Sequence, residues 1–296
     1  MTISLRQLKI FEATARLGRL TAAADDQAIS QSAASQALRE LESGLGYPLF
    51  HRVGRDLQIT DAGRAALPKV GLILQTLDNL IHNPADAISG TLRVAASLTI
   101  ASYILPKLLS SFIHKHDQVD PDIRISNTED VISAVEKGQV HLGLIEGPAL
   151  HSQLCITPWC EDQLQVFCRP DHPLAAAGKL SAEQICEQRW VLREPGSGTR
   201  AVFDAAVQQV SGQVKLALAL NRQEAIKQSV KAGLGIGCLS GLSIAEQVAA
   251  GELVILQTPL ELRRRFSLVT QPLHESNALA QAFVVHLQEN PPAVDN

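Results

Sequence analysis

The sequence has few aromatic residues and no long apolar run. Aromatic residues make up 4% of its 296 residues, and it contains two tryptophans, two tyrosines and one methionine. No segment approaches the roughly 18 consecutive apolar residues of a membrane span. Charged residues interrupt the N-terminal segment, so we expect neither a membrane helix nor a secretion signal. A composition of 46% hydrophobic and 19% charged residues predicts a cytoplasmic globular protein of about two or three compact units.

Cysteine is also scarce, and its spacing forms no framework. The chain has no CxxC pair and no cysteine at zinc-ligand spacing from a histidine. We therefore expect reduced, buried thiols and no metal, and the alternative is a redox switch between Cys160 and Cys168. The five cysteines are Cys155, Cys160, Cys168, Cys186 and Cys238.

A catalytic constellation is missing as well. The nine histidines are scattered, whereas hydrolysis needs a nucleophile, a base and an orienting group placed together. The segment Gly196-Ser197-Gly198 does not match the G-x-S-x-G elbow of hydrolases. We predict that the protein is not an enzyme and holds no cofactor.

The strongest positive signal is residues 21–41, from which a short helix, a tight turn and a second helix are predicted. One face of the second helix is an apolar stripe with spacings of 4, 3 and 4. The opposite face is short and polar and contains no acid. The apolar stripe is Ala34, Leu38, Leu41 and Leu45.

This polar face has the chemistry of a major-groove reader. Glutamine pairs with adenine edges, arginine pairs with guanine, and serine contacts bases or phosphate. The alternative is a solvated helix face, but the adjoining turn and the hairpin that follows favour DNA contact. The expected DNA-binding residues on this helix are Gln31, Ser32, Ser35, Gln36 and Arg39.

The hairpin is predicted at residues 49–59, as two short strands that form a wing. Arg52 and Arg55 on this wing are expected to contact phosphate or the minor groove. Residues 1–82 hold nine Lys and Arg against eight Asp and Glu. Because this part is nearly neutral, phosphate contact must come from a few placed groups, which a dimer would double.

Thr60-Asp61 opens a further helix with a heptad-like seam. Its apolar residues step by 3, 4, 3 and 4, a spacing typical of a helix that pairs with a partner helix. Pro68 lies inside this helix and is expected to bend it. The expected dimerisation residues are Leu67, Val70, Leu74, Leu77 and Ile81.

From residue 91 strands and helices alternate, which predicts a parallel sheet covered by helices. Two similar α/β halves predict a two-lobed, clamshell domain with a ligand cleft between the lobes. The expected fold is therefore α/β with an N-terminal, mainly α winged helix-turn-helix. We place the domains at 1–60, 61–90 (linker helix and hinge) and 91–296, with lobe 1 at about 91–162 and 268–296 and lobe 2 at about 163–267.

A known family shares these motifs. The segments SQSAAS (30–35), LE-x-x-LG-x-x-LF-x-R (41–52) and T-x-AG (60–63) together strongly resemble the LysR-type transcriptional regulators. The resemblance runs over nearly the whole chain and implies a periplasmic-binding-protein-like effector domain. The segment EPGSGTR (194–200) further resembles the branch of sulphur-assimilation and carbon-fixation regulators. One departure from the family pattern is the acidic pair Asp25-Asp26.

The effector site is expected where strands meet helix N-termini. Residues 194–200 offer backbone N–H groups and hydroxyls to an anion, although the spacing alone also fits a plain strand–helix turn. The resemblance favours the anion site and places an equivalent entrance at Ser97 and Thr99. Glu146 is equally well interpreted as an anchor between the lobes. The expected effector-binding residues are Ser97, Thr99, Thr128, Glu146, Ser197, Gly198, Thr199, Arg200 and Asn221.

We therefore expect a regulator that binds double-stranded promoter DNA as a homodimer. The resemblance implies a homotetramer, and RNA polymerase is a further candidate partner. The small effector is expected to be an oxyanion or a carboxylate. Alternatives are a cysteine-based redox regulator, a solute-binding protein, and an enzyme with a DNA-binding appendage. The basic run Arg263–Arg265 is expected to form salt bridges or lie on the surface rather than bind nucleic acid.

Overall fold

The N-terminal unit is a winged helix-turn-helix. The computed structural model describes residues 3–53, 56–81, 88–210, 213–272 and 278–292. The first elements are α1 (Leu5–Leu17), α2 (Leu20–Asp26), α3 (Gln31–Leu45) and the antiparallel hairpin of β1 (Phe50–Val53) and β2 (Asp56–Ile59). Ser4 and Gln7 form a capping box on α1, and Ser30 caps α3. α2 begins at Leu20, and its N-cap residue is Arg19.

The apolar stripe of α3 faces the core of this unit, as predicted. Ala34, Leu38 and Leu41 are buried, and the rings of Phe11 and Phe50 meet edge to face with 5.6 Å between their centroids. The small side chains of α2 let α1 and α3 approach closely. The polar face of α3 is therefore held outward by packing on three sides.

The first part of the linker helix α4 (Asp61–Ile81) packs in this core, and the helix then extends beyond it. Leu67 and Val70 are buried in the hydrophobic cluster of the winged unit, and Leu74 packs against that cluster. The prediction that the whole seam faces a partner helix is therefore wrong for Leu67 and Val70, because their own chain covers them. Leu77 is half-buried, whereas the side chain of Ile81 lies outside the described residues.

Lobe 1 of the C-terminal unit is built on three parallel strands. Strand β3 lies between β4 and β5, and helices cover the sheet. The segment after β3 forms two helices, because the backbone breaks at Ile104 before Pro106. The elements of this lobe are β3 (Gly90–Ser97), α5 (Leu98–Tyr103), α6 (Leu105–Lys115), β4 (Val119–Ser126), α7 (Thr128–Glu136) and β5 (Leu142–Glu146).

Lobe 2 repeats the plan with β7 between β8 and β9 in parallel. Its core surrounds Trp190 and Phe203, whose ring centroids lie 4.6 Å apart. The elements from here to the end of the chain are β6 (Cys155–Cys168), α8 (Ala182–Glu187), β7 (Arg189–Arg193), α9 (Gly198–Gln209), β8 (Lys215–Leu220), α10 (Gln223–Lys231), β9 (Ile236–Ser240), α11 (Gly241–Ala249), β10 (Val254–Leu256), β11 (Arg263–Thr270) and α12 (Ala278–Glu289).

Two long antiparallel strands join the lobes. β6 pairs with β11 through its first part and with β9 and β10 through its last part, so the sheet is mixed rather than purely parallel. The carboxyl ends of β3 and β5 in lobe 1 and of β7 in lobe 2 lead into the junction that β6 and β11 cross. Ligands of open α/β sheets bind at such carboxyl ends. Within the described ranges, no helix combines the length and the apolarity needed to cross a membrane.

Candidate functional site: an exposed helix face and a buried cleft

The polar face of α3 is solvent-exposed along its length. Gln31, Ser32, Gln36 and Arg39 are exposed, and Ser35 is half-buried. This face is available to a groove because none of its side chains contributes to the core. The five residues predicted to contact DNA therefore share one accessible surface.

The prediction that this face lacks an acid is wrong. Glu40 lies one turn after Gln36 and accepts a hydrogen bond of 2.9 Å from the Gln36 amide nitrogen. Its other oxygen accepts from the Gln7 amide at 3.0 Å. An i, i+4 spacing brings the two side chains together, so Glu40 occupies one of the two amide N–H donors of Gln36.

The wing has the predicted hairpin form. Arg52 lies on β1 opposite Leu57 of β2, and Val53 pairs with Asp56. The side chain of Arg52 and the whole of Arg55 lie outside the described residues. Their contact with DNA stays a prediction.

The centre of the C-terminal unit is a buried arginine on β11. Arg264 has a fully buried side chain, and its Nε donates to Asp162 Oδ2 at 2.6 Å. Its Nη1 donates to Glu146 Oε2 at 2.6 Å and to Thr199 Oγ1 at 2.8 Å. Asp162 lies on β6, Glu146 ends β5 of lobe 1, and Thr199 begins α9 of lobe 2. One guanidinium therefore ties both lobes to the crossing strands.

Glu146 is the carboxylate that the cleft encloses. Its Oε1 accepts from the Thr99 backbone N–H at 2.7 Å, and its Oε2 accepts from the Thr199 hydroxyl at 3.2 Å. Burial opposes ionisation, but the charges of Arg264 and Arg193 together with these donors hold the pKa of Glu146 below its ordinary value. Glu146 is thus an ionised internal anion, consistent with its interpretation as an interlobe anchor.

Asp162 and Gln223 also belong to this network, and sequence reasoning missed them. The Gln223 amide donates to Thr99 Oγ1 at 2.9 Å, and the Ser240 hydroxyl donates to Asp162 Oδ1 at 2.7 Å. Arg264 was predicted only as one of three arginines that pair or lie on the surface. A signal for its burial was present, because Arg264 shares the two-residue period of the buried Phe266 and Leu268.

Two of the predicted effector residues lie outside this network. Asn221 is exposed and precedes Arg222, the N-cap residue of α10. Arg200 binds the carboxylate of Asp204 at 2.8 Å and the carbonyl oxygen of Arg193 at 3.0 Å. Its guanidinium therefore points along α9 rather than toward Glu146.

An open groove adjoins the buried network. It has a volume of about 410 Å³ and is lined by Thr128, Ser197, Gly198 and Arg200 among other residues of α7 and α9. The Thr128 hydroxyl donates to the carbonyl oxygen of Glu146 at 3.1 Å. At Gly198 an added Cβ would overlap that same carbonyl oxygen, so only glycine permits this approach of the two lobes.

The hydroxyl of Ser97 is the least satisfied group of the cleft. Ser97 is buried, and it lies near enough to the Glu146 carboxylate to lower its pKa further. It completes no hydrogen bond within the described part of the chain. Buried hydroxyls normally have a partner, and the Glu146 carboxylate, whose pKa this hydroxyl lowers, is the acceptor beside it.

Three of the five cysteines do not resemble redox centres, whereas Cys155 is exposed, contrary to the expectation that the thiols are buried. Burial raises the pKa of Cys160 to about 12, that of Cys168 to about 11 and that of Cys238 to about 12. Reactive thiols need a lowered pKa and access to solvent. The predicted alternative of a switch between Cys160 and Cys168 is therefore disfavoured. Among the described residues, no cluster of His, Cys, Asp and Glu could hold a metal ion.

Both units match models of one protein family. Residues 5–64 match the bacterial regulatory helix-turn-helix protein, lysR family, and residues 85–292 match the LysR substrate binding domain. The chain belongs to the LysR family of transcriptional regulators. LysR regulators bind promoter DNA through the helix-turn-helix and form oligomers.

Similar proteins agree with this assignment. The chain is 38% identical over 282 residues to the uncharacterized HTH-type transcriptional regulator YeiE of Escherichia coli K12. The matched region covers 94% of this chain and 95% of the relative. It is 31% identical over 259 residues to the RuBisCO operon transcriptional regulator of Allochromatium vinosum, with coverages of 86% and 85%. The second match supports the predicted carbon-fixation and sulphur branch.

A solved structure resembles the effector unit of this LysR regulator. It is the regulatory domain of CcmR from Synechocystis PCC6803 in complex with 2-PG, with a TM-score of 0.64 and 27% identity over 70% of this chain and 99% of that chain. The predicted fold, with an N-terminal winged helix-turn-helix and a two-lobed α/β effector domain, is confirmed.

Proposed function

We propose that this LysR regulator reads promoter DNA with the polar face of α3 and responds to a small anion held between its two lobes. The reading face is Gln31, Ser32, Ser35, Gln36 and Arg39, supported by Arg52 and Arg55 of the wing. A homodimer would place two such faces on a pseudo-palindromic site. Tetramer formation, contact with RNA polymerase and a cytoplasmic location belong to the same proposal, which includes no catalytic step.

The effector proposal rests on the donors of the cleft, which bind the carboxylate of the chain's own Glu146. The Thr99 N–H, the Thr199 hydroxyl and Arg264 all donate to Glu146, so the cleft holds a donor set suited to an oxyanion or a carboxylate. The Ser97 hydroxyl, which also acts on Glu146, lies beside this set. CcmR, a relative in fold, was solved with 2-PG bound. Because Glu146 occupies the donors, an anionic effector must compete with it for them.

The DNA-reading proposal is tested with two substitutions of different expected character. Gln36→Ala should relax base preference at one position by about 1–3 kcal/mol. Arg52→Ala should weaken binding to all sequences and reduce the salt slope by about 1. Footprinting combined with a salt titration measures both. Equal, sequence-independent losses in the two variants would contradict the division between base and phosphate contacts.

The effector proposal is tested by calorimetry with sulfate, phosphate and small carboxylates, after a thermal-shift screen of oxyanions, sulphur metabolites and phosphorylated sugars. Thr99→Val and Ser197→Ala should lower anion affinity and leave DNA affinity without effector unchanged. Glu146→Gln should raise anion affinity about tenfold or more, because it removes the competing charge. Asn221→Ala is the control, since Asn221 is exposed and lies outside the network. Unchanged affinity in all three cleft variants would refute the site.

A further inference from the structure

We propose that lobe 1 carries a docking site for the winged helix-turn-helix of the same chain, formed by charged residues of both units. The participating residues are Glu12, Arg16 and Asp26 of the winged unit, with Arg93 and Asp122 of lobe 1. We refer to these five residues as the docking cluster. The observation that carries this inference is the ion pair between Arg93 of lobe 1 and Glu12 of α1.

The cluster is a continuous set of alternating charges. Arg16 binds Asp26 Oδ1 at 2.9 Å and lies 3.5 Å from Glu12 Oε1. The same Glu12 oxygen lies 4.0 Å from Arg93 Nη1, across the boundary between the two units. Arg93 is in register with Asp122 on the neighbouring strand. The charge sequence from the winged unit to lobe 1 is therefore negative, positive, negative, positive, negative.

Partial burial makes these charges matter more than surface pairs. The side chain of Glu12 retains 13% of its exposure and that of Arg16 retains 19%. Burial opposes the charge of Arg16, but Asp26, Glu12 and Asp122 raise its pKa above the ordinary value. Burial likewise opposes ionisation of Asp26, yet Arg16, Gln27 and the more distant Arg93 lower its pKa. Charges of each unit thus act on the other unit.

Lobe 1 holds the backbone of Arg93 through two hydrogen bonds to His141. The Arg93 backbone N–H donates to His141 Nδ1 at 3.3 Å, and the His141 N–H donates to the Arg93 carbonyl oxygen at 2.9 Å. The backbone of Arg93 on β3 is thereby bound to His141, which lies just before the start of β5. The same strand β3 ends at Ser97 in the cleft, about 13 Å further along an extended chain. One strand therefore connects the docking cluster with the effector cleft.

The cluster also gives a role to Asp26, one member of the acidic pair that departs from the family pattern. Asp26 ends α2, and α3 begins five residues later at Gln31. A second contact lies nearby, since Pro68 of α4 lies within 3.8 Å of the position that a Cβ would take at Gly138. Asp26 is thus used in docking, and docking sets the orientation of α3 relative to lobe 1. The regulatory value of this orientation rests on the proposed function above.

Charge reversal and charge exchange test the docking directly. The variants are Arg93→Glu, Glu12→Arg and the double variant, in the full-length protein, with Arg124→Glu as control on the exposed face of the same lobe. The measurement is the rate of amide hydrogen exchange in α1 and α2. We expect Arg93→Glu to raise exchange in these two helices at least fivefold, the double variant to restore it within twofold, and the control to leave it unchanged. Exchange changes confined to lobe 1, or no restoration, would overturn the docking site.

Fluorescence anisotropy with promoter duplex then tests the consequence for DNA binding. Both single variants should change specific DNA affinity at least fivefold, and the double variant should return to the affinity of the original protein. If exchange follows the expectation but DNA affinity stays constant, docking does not orient α3, and the DNA-reading proposal itself is untouched. Where Arg93→Glu fails to fold by circular dichroism, Arg93→Gln should show the same pattern at smaller amplitude, and its absence would refute the proposal.

Discussion

The polar residues of α3 and the polar residues of the interlobe cleft are organised in opposite ways. On α3 they are exposed, and their few hydrogen bonds are local, such as Gln36 to Glu40. In the cleft they are buried and linked to residues far away in the chain, such as Arg264 to Thr99. The difference teaches that the DNA face is assembled by one helix, whereas the effector cleft exists only after both lobes and both crossing strands have folded.

The sharpest test of this contrast uses two neighbouring arginines. Arg264→Leu should destabilise the effector domain by about 3–5 kcal/mol, because it leaves the Glu146 and Asp162 carboxylates buried without a partner. Arg265→Leu should change stability by about 1 kcal/mol or less, because its pair with Glu161 is exposed. Urea unfolding followed by circular dichroism measures both. Equal losses would show that burial does not separate the two sites.

A second test uses the pH dependence of stability that the buried residue His141 produces. Burial and the charge of Arg93 lower the pKa of His141 to about 4, below its ordinary value of 6.5. Between these values the unfolded chain takes up a proton that the folded chain does not, so stability falls as the pH falls from about 6.5 toward 4. From pH 7 to pH 5 the expected loss is about 2 kcal/mol.

His141→Gln is the matched variant for this pH test. Glutamine retains an acceptor for the Arg93 N–H but does not titrate. Urea unfolding at pH 7 and pH 5 should show a smaller difference between the two pH values in this variant than in the original protein. An identical pH dependence would assign the loss to other groups, of which His172 and His286 also have lowered pKa values, with burial as the first cause.

A third test concerns the turn before the reading helix. Ala28 has a φ of 51°, in the left-handed region that glycine adopts readily. Ala28→Gly should stabilise the winged unit by up to about 1 kcal/mol, because relief of this strain outweighs the greater flexibility of the unfolded chain. Thermal unfolding of the full-length protein measures the shift. A lower melting temperature would mean that the turn is unstrained.

The smallest effect is expected on the exposed face itself. Gln36→Ala should leave the free energy of unfolding within about 0.5 kcal/mol, since the loss of one exposed pair with Glu40 is offset by the helix propensity of alanine. Urea unfolding of this variant measures its stability, and footprinting measures its DNA recognition. Together they show whether the two properties are independent. A large loss of stability would place Gln36 among the structural residues.

The contrast also explains what the sequence could predict. The reading helix, its caps and the order of strands and helices follow from local periodicity, and the structure reproduces them. The linker seam was misjudged at Leu67 and Val70, because periodicity marks an apolar face but does not say which surface covers it. Glu40 was missed because the polar face was considered without its next turn.

The cleft was predicted only in outline. Thr99, Glu146 and Thr199 were identified from strand ends and from family resemblance, and the structure brings them together. Arg264 lies 165 positions from Thr99 and 118 from Glu146, so their contact depends on how β11 crosses the sheet. Asp162 and Gln223 had no local signal that distinguishes them from other polar residues. Pairings of this range are set by tertiary topology.

The glycine at the start of α9 has one more consequence. At Gly198 the lobes touch backbone to backbone, and a single methyl group there would act as a wedge between them. With such a substitution the two lobes would stay apart at this contact, whether or not a ligand was present. Gly198→Ala, which adds one methyl group, is therefore enough to disrupt this contact between the two lobes.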